Sequence, residues 1–240
     1  KLNIACQHGT KYEAIIQLLY EVKNNCNLLE FGSLRHPDHN IISASPDGIT
    51  DAGVMVEIKA PFKRKIYGLP PIYYWYQMQQ QLEVCNLDKV DFVECDIGQY
   101  NSSQDFYEDK DSIAGDVDKL KGILIEYHDL CGGCVDWIYP STFLKEDQLK
   151  DWINNEKNKL NEDDKKQFSK VTYYKLKQYS CCQIWRDKEW WNNNVNEYLK
   201  FWEEVKKHRV IGFESLMSKK RPRKKKEIVC DILSSDDEED

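Results

Sequence analysis

The amino-acid sequence predicts an α/β fold in which helices flank a mixed central sheet. Residues 10–23 repeat apolar side chains at helical spacing, which predicts an amphipathic helix. Residues 40–60 contain two β-rich segments separated by an Asp-Ala-Gly turn, which predicts a β-hairpin. Helical and β-rich segments then alternate along the chain, and this order is typical of an α/β core.

The individual elements follow from apolar periodicity and from turn residues. Gly9 and Thr10 suit an amino-terminal cap for the first helix, and Pro61 should end the second hairpin strand. The predicted elements after the first helix are strands at 40–49 and 54–60, a helix at 72–85, strands at 89–96 and 123–130, and a solvated helix within 143–166. A last helix should present Val195, Tyr198, Leu199, Trp202 and Val205 on one face.

The length and composition favour one folded domain with an appended tail. The chain has 240 residues, of which 41% are hydrophobic, enough for one good-sized core. We expect this domain at residues 1–212, with an amino-terminal part possibly missing because the chain starts at Lys1 and enters a helix at once. Residues 213–240 carry a basic and then an acidic run, so we expect a disordered tail there. The basic run resembles a nuclear-localisation signal or DNA tether, or serves solubility.

Composition also indicates the compartment and limits the class of ligand. No stretch of about 20 apolar residues and no signal-peptide pattern is present, so we expect an intracellular protein without a membrane partner. The nine cysteines are an odd number, which favours reduced thiols. Because the formal net charge is −7, any nucleic-acid site must be a local basic patch.

The segment Ser45-Pro46-Asp47-Gly48-Ile49 is followed by Glu57-Ile58-Lys59, and this combination carries the chemistry. Side chains alternate along a strand, so Glu57 and Lys59 should emerge on one face. If the two segments pair as a hairpin, Asp47 approaches Glu57. Two neighbouring carboxylates form the kind of hard oxygen site that magnesium prefers.

Each part of this combination has an ordinary structural explanation when it is taken alone. An Asp-Gly pair is a common turn signal, and a Glu-x-Lys sequence on a strand is usually an exposed ion pair. The joint arrangement is more specific, because apolar strand residues flank the charged pair and Ala60-Pro61-Phe62 follows it.

Four segments, in this order and spacing, resemble the lambda-type exonuclease family, also called the YqaJ-like viral recombinase family. They are QHGTKYE at 7–13, SPDGI at 45–49, VEIKAPF at 56–62 and YQMQQQLEV at 76–84. The family belongs to the PD-(D/E)XK nuclease superfamily, which implies a restriction-endonuclease-like core with a helical carboxy-terminal subregion. The later stretches YYKLKQY, WRDKEWW and FWEEVKKHR resemble the carboxy-terminal helices of members from large DNA viruses.

The resemblance implies roles for particular residues. The catalytic set would be Glu13, Asp47, Glu57, Lys59 and Gln77. The metal ligands would be Asp47, Glu57 and the backbone carbonyl of Ile58, with Mg²⁺ as cofactor and Mn²⁺ able to substitute. For Gln79, Gln80 and Gln81 a polar helix face explains the sequence equally well, although Gln81 lies one turn from Gln77.

The implied activity is magnesium-dependent exonuclease action on DNA, with linear duplex as the expected substrate, in viral replication, recombination or repair. The implied partners are DNA and a single-strand-annealing recombination protein, and a homo-oligomer is possible. We expect the protein in the host nucleus or at a cytoplasmic viral replication site. A structure-specific or nicking endonuclease, and a non-catalytic DNA-binding scaffold on the same fold, remain as alternatives.

The expected phosphate contacts are Arg35, Lys63, Arg64 and Lys65. Nothing before Gln7 supplies the family's amino-terminal arginine-serine feature, so the resemblance leaves the polarity of digestion open.

Two further motifs are compatible with metal binding. Cys131 and Cys134 form a CxxC pair that could share a zinc ion or an iron–sulfur cluster with Cys181 and Cys182. His36 and His39 could also be ligands, although exposed loop residues are the simpler explanation.

Overall fold

A computed structural model of the chain describes residues 3–217. The predicted tail lies outside the described residues from position 218 onward, and within 213–217 the chain forms a short 3-10 helix. The chain divides into two compact units, Lys1–Asn194 and Val195–Asp240. The first unit contains the whole of the sheet.

Ten strands and five α-helices make up the regular structure of the described residues. The strands are β1 (Leu28–Leu29), β2 (Leu34–Arg35), β3 (Ser43–Ala44), β4 (Gly48–Thr50), β5 (Met55–Lys59), β6 (Lys89–Gln99), β7 (Ile113–Ala114), β8 (Leu120–Asp129), β9 (Cys134–Ile138) and β10 (Lys166–Trp185). The α-helices are α1 (Ile4–Asn24), α2 (Ile72–Cys85), α3 (Ser103–Glu108), α4 (Leu149–Asn161) and α5 (Lys188–Ile211), and 3-10 helices lie at Glu146–Gln148 and Glu214–Leu216.

The main sheet is mixed and has the strand order β1-β4-β5-β6-β10-β8-β7, with β9 added to β8. The pairs β5–β6 and β7–β8 are parallel, and the other pairs are antiparallel. Strands β2 and β3 form a separate two-stranded sheet. Because β5 and β6 are parallel, the chain must cross over between them, and α2 makes this crossover. The predicted mixed α/β fold is confirmed.

Two helices cover opposite faces of the sheet around β5. The apolar side of α1 packs in one core with Val56 and Ile58 of β5. Met78 and Leu82 of α2 pack in a second core with Met55. Consecutive residues of a strand point to opposite faces, so α1 lies on the Val56 face and α2 on the Met55 face. Glu57 and Lys59 share the α2 face.

The first helix begins earlier than apolar periodicity predicts. Asn3 caps α1 by accepting a hydrogen bond from the backbone N–H of Ala5 at 3.0 Å. Gly9 and Thr10, the predicted cap, lie inside the helix, and the Thr10 hydroxyl donates to the Cys6 carbonyl at 3.2 Å. The prediction was wrong because the first two turns are largely exposed and therefore show no apolar repeat.

The predicted hairpin is present but interrupted. Residues 45–47 separate β3 from β4, and β4 pairs with β5 through a turn in which Gly53 has φ +76°. The bounds of α2 agree with the prediction, whereas β6 runs three residues beyond the predicted strand at 89–96. Within the predicted solvated segment at 143–166, α4 buries Leu149 and Leu160.

The YYKLKQY stretch was expected among carboxy-terminal helices, and this prediction was wrong. It belongs to the 20-residue strand β10, which pairs with β6 on one edge and β8 on the other. Strand partners on both edges use its backbone hydrogen-bonding groups, and Thr172 and Tyr174 bury their side chains. The helical carboxy-terminal part begins only at Lys188.

None of the helices formed by residues 3–217 is both long enough and apolar enough to cross a membrane.

A substitution at Gly122 tests the packing between β8 and β10. Gly122 pairs with Tyr174, and a Cβ atom added at Gly122 would lie 2.5 Å from the Tyr174 hydroxyl oxygen. Tyr174 is buried, so its ring cannot move into solvent without losing core contacts. We predict that Gly122→Ala lowers the free energy of unfolding, measured by denaturant titration, by about 1–3 kcal/mol.

Gly9→Ala is the matched control for this substitution. A Cβ atom at Gly9 meets no heavy atom within 4 Å, and the residue lies inside α1. The control should therefore raise the free energy of unfolding by about 0.5–1 kcal/mol. A Gly122→Ala protein as stable as the wild type would contradict the packing of Tyr174 against β8.

Candidate active site

The Glu57 carboxylate is the most deeply buried acidic group of the predicted site. Its residue is 1% exposed, and side-chain donors reach both of its oxygen atoms. The Lys59 ammonium and the Gln77 amide contact Oε1, the amide at 2.7 Å, and the Gln81 amide donates to Oε2 at 2.7 Å. Gln77 and Gln81 are one helical turn apart, so α2 presents both amides to the same strand residue.

Asp47 lies immediately before β4, and the hairpin pairing places it beside β5. Its Oδ2 atom accepts a hydrogen bond from the backbone N–H of Ile58 at 2.6 Å and lies 3.8 Å from Lys59 Nζ. Burial and the nearby charge of Glu57 raise the pKa of Asp47 to about 7, against the opposing effects of Lys59 and the Ile58 N–H. A cation at this position would favour the ionised carboxylate.

Lys59 is the cation around which the predicted ligand groups converge. Its Nζ atom contacts Glu57, lies 3.8 Å from Asp47 and donates to the Ile58 carbonyl at 3.0 Å. The ammonium also lies 5.2 Å from the ring centre of Tyr74. Burial lowers the pKa of Lys59, but the charges of Glu57 and Asp47 outweigh burial and raise it.

The oxygen groups around this ammonium fit the predicted magnesium ion. Asp47, Glu57 and the Ile58 carbonyl are hard oxygen donors that already surround a positive charge. Among residues 3–217, no group of three or more His, Cys, Asp or Glu side chains is placed to hold a metal ion. An ion here would therefore use two carboxylates, a backbone carbonyl and water, and Mg²⁺ commonly retains several waters.

An open cleft lies at the end of β5, lined by α1, by the segment that follows β5 and by the start of α2, and Glu13 borders it from the α1 face of the sheet. It lies on α1 and lines the cleft together with Ile58 and Lys59 at the end of β5. Burial raises the pKa of Glu13, Lys59 opposes this shift, and the charge of Glu57 adds to it. The charges of Lys59 and Glu57 therefore act on Glu13, although Glu13 lies on α1 and α1 covers the opposite sheet face from α2.

The four expected phosphate contacts do not all lie at the cleft. Lys63 and Arg64 line it, in the segment that follows β5. Arg64 forms an ion pair with Glu94 and lies 5.8 Å from the ring centre of Tyr74. Arg35 lies on β2 of the separate small sheet, and Lys65 is exposed outside the cleft lining.

Sequence reasoning left the role of Gln81 open and missed Glu94, and the fold brings both residues to the site. Gln81 binds the second oxygen of Glu57, and its spacing from Gln77 was the available signal. Glu94 is fully buried on β6, and the parallel register places it directly beside Lys59. Its Oε2 atom has no hydrogen-bond partner among residues 3–217. Strand alternation places Glu94 on the same face as the apolar Val90 and Phe92, and a carboxylate on that face was the signal for Glu94.

The two cysteine pairs cannot share a metal ion. Along β10, Lys166 pairs with Asp129 beside the Cys131–Cys134 turn, and Cys181 pairs with Val93. Fifteen residues of extended strand separate these positions, which corresponds to roughly 50 Å.

His36 is buried, and it is not an exposed loop residue. Its Nδ1 atom accepts hydrogen bonds from the backbone N–H groups of Asp38 and His39 at 3.1 and 3.2 Å, so this nitrogen is not free to bind a metal. The ring of His36 stacks on Trp191 with 5.7 Å between centroids. These contacts give His36 a packing role.

Comparison with known proteins gives a family match at the amino-terminal part. Residues 1–88 match the YqaJ-like viral recombinase domain, a range that contains Glu13, Asp47, Glu57, Lys59 and Gln77. An uncharacterized protein of Acanthamoeba polyphaga mimivirus is 32% identical over 234 residues. The match covers 82% of this chain and 43% of the mimivirus protein, so the chain spans less than half of that relative.

Solved structures resemble the chain in fold. The crystal structure of LHK-Exo in complex with dAMP has a TM-score of 0.50 and 19% identity, and the match covers 90% of this chain and 75% of that chain. A crystal structure of the alkaline exonuclease LHK-Exo from Laribacter hongkongensis has a TM-score of 0.49 and 20% identity, with 87% and 72% covered. At this identity the likeness to the dAMP complex concerns the fold alone. The family match, the viral relative and the shared fold agree with one another, and residues 1–88 of the chain form a YqaJ-like viral recombinase domain.

Proposed function

We propose that the chain is a magnesium-dependent deoxyribonuclease that hydrolyses phosphodiester bonds from the ends of linear DNA. The observation that carries this proposal is the convergence of Asp47, Glu57 and the Ile58 carbonyl around one positive charge at the edge of an open cleft. The YqaJ-like viral recombinase domain at residues 1–88, which resembles the lambda-type exonucleases, supports the choice of an exonuclease. A scaffold without catalysis would not need this buried set of oxygen ligands.

The wider role is part of the same proposal. The chain would act in viral DNA replication, recombination or repair, together with a single-strand-annealing partner and with the option of a homo-oligomer. The match to a mimivirus protein supports the viral setting.

The residues of the chain divide the work of hydrolysis between them. Asp47, Glu57 and the Ile58 carbonyl would hold Mg²⁺ or Mn²⁺, which supplies Lewis-acid polarisation of the phosphate and acidifies a bound water. Gln77 and Gln81 fix the orientation of the Glu57 carboxylate. The Lys59 ammonium, which lies beside these oxygens, would donate to a phosphate oxygen or orient the attacking water.

The cleft provides the contacts for the DNA backbone. Lys63 and Arg64 lie along its wall and can pair with phosphate oxygens, and Arg64 is preorganised by Glu94 and Tyr74. Glu13 faces the cleft from α1, where its carboxylate would orient the attacking water. Arg35 and Lys65 remain predicted contacts for more distant phosphates.

The first test replaces Glu57 by glutamine. Glu57→Gln keeps the shape of the side chain and removes the anion that would hold the metal, so we expect digestion of end-labelled linear duplex in magnesium to fall by about a thousandfold or more. Duplex affinity should persist, because phosphate contacts supply it. Glu108→Gln, on α3 away from the cleft, is the control and should digest DNA at the wild-type rate.

Closed circular DNA separates the alternatives in the same assay. An exonuclease leaves the circle intact, whereas nicking or linearisation of the circle would identify an endonuclease. If Glu57→Gln digests linear duplex at the wild-type rate, the proposed centre is wrong and the DNA-binding scaffold becomes the better explanation.

The second test separates Lys59 from the metal ligands. Lys59→Met removes an ammonium that contacts the same oxygens as the proposed ion, so calorimetric titration should show magnesium bound at least as tightly as by the wild type. Turnover should nevertheless fall by about a hundredfold or more, because a charge that stabilises the transition state is lost. Weaker magnesium binding in Lys59→Met than in Glu57→Gln would contradict these roles.

A further inference from the structure

Two exposed aromatic rings border the cleft beside the proposed catalytic centre. Phe62 is 44% exposed and Tyr73 is 55% exposed, and both line the cleft that contains Lys59. Phe62 follows β5, and Tyr73 lies in the first turn of α2, so the rings approach the cleft from different elements. Large apolar groups that stay in water beside a cleft indicate a binding surface.

Each exposed ring contacts other aromatic rings that connect it to a buried aromatic residue. The Phe62 ring lies 5.2 Å from His8, and His8 lies 4.8 Å from Tyr12, which is completely buried. Tyr73 lies 4.4 Å from Tyr74, which packs on the buried Phe92 at 5.7 Å. Rings held in this way lose little conformational entropy when a ligand stacks on their outer faces.

Basic side chains alternate with these rings. Lys63 Nζ lies 5.5 Å from the ring centre of Phe62, and Arg64 lies 5.8 Å from that of Tyr74. The chain has a net charge of −7, so this basic and aromatic wall is a local feature. Aromatic rings for bases together with cations for phosphates are the combination that binds single-stranded nucleic acid.

A base pair inside a duplex cannot use these rings, because its two faces are covered by its neighbours. An unpaired base exposes both of its faces to aromatic side chains, whereas the terminal pair of a blunt duplex exposes only one. We propose that Phe62 and Tyr73 form a stacking site for unpaired bases, so that the cleft takes a single-stranded DNA end. This inference rests on the proposed function and specifies the substrate of the same centre.

The test measures binding without cleavage. A dye-labelled oligothymidine strand is titrated with protein in EDTA, and fluorescence anisotropy gives the dissociation constant. Phe62→Leu and Tyr73→Leu keep apolar bulk and remove the aromatic face, so each should weaken binding by about tenfold or more. Phe62→Tyr keeps an aromatic ring at this position and should keep most of the wild-type affinity.

Tyr67→Leu is the matched control. Tyr67 is a 79% exposed tyrosine of the same segment, but it does not line the cleft, so its replacement should leave the affinity unchanged. Thermal melting of every variant verifies the fold. A duplex with a single-stranded tail should also bind more tightly than a blunt duplex, and this preference should disappear in the Phe62→Leu, Tyr73→Leu double variant.

The stacking site is overturned if both leucine variants bind the strand as tightly as the wild type, as a surface for a protein partner would allow. It is also overturned if Tyr67→Leu weakens binding equally, or if tailed and blunt duplexes bind alike. These outcomes are independent of nuclease activity. A chain that shows the expected binding but digests no DNA in magnesium would overturn the proposed function and leave the stacking site in place.

Discussion

The Glu57 carboxylate lies in the interior of the first unit, where an ionised group costs several kcal/mol unless it is fully paired. Its pairing requires three donors: Lys59 two residues along the same strand, and Gln77 and Gln81 from the covering helix. Those contacts hold α2 against β5 in addition to the apolar packing of Met78 and Leu82 on Met55. The crossover from β5 through α2 to β6 therefore contributes to the apolar core and also positions the side chains of the site.

The Lys59 ammonium balances the negative charges of Asp47 and Glu57 at the cleft. Two carboxylates and a backbone carbonyl would repel one another without a cation, and the Lys59 ammonium supplies one. Under the proposed function Asp47, Glu57 and the Ile58 carbonyl would hold the metal ion, and Lys59 would act on the substrate. The oxygen ligands are already in place for either cation, so little reorganisation is needed when the reaction begins.

The cleft opens where β5 ends, and residues from both faces of the sheet line it there. Pro61 stops the strand, and the following segment leaves the sheet with its basic and aromatic side chains along the opening. Glu13 reaches this point from α1, and Tyr74 reaches it from α2. Residues from opposite faces can thus act on one substrate only at the end of a strand, and the site lies at such an end.

Local sequence determined the α2 helix and the placing of Asp47, Glu57 and Lys59 on one hairpin, because helical period, strand alternation and turn chemistry operate over a few neighbouring residues. The tertiary structure alone decided that β10 is a central strand, that Glu94 lies beside Lys59 and that Arg35 stands on a separate sheet. These facts depend on pairing between segments far apart in the chain. Strand β10 became a strand because β6 and β8 offered it hydrogen-bonding edges on both sides, and no pattern within its own residues encodes those partners.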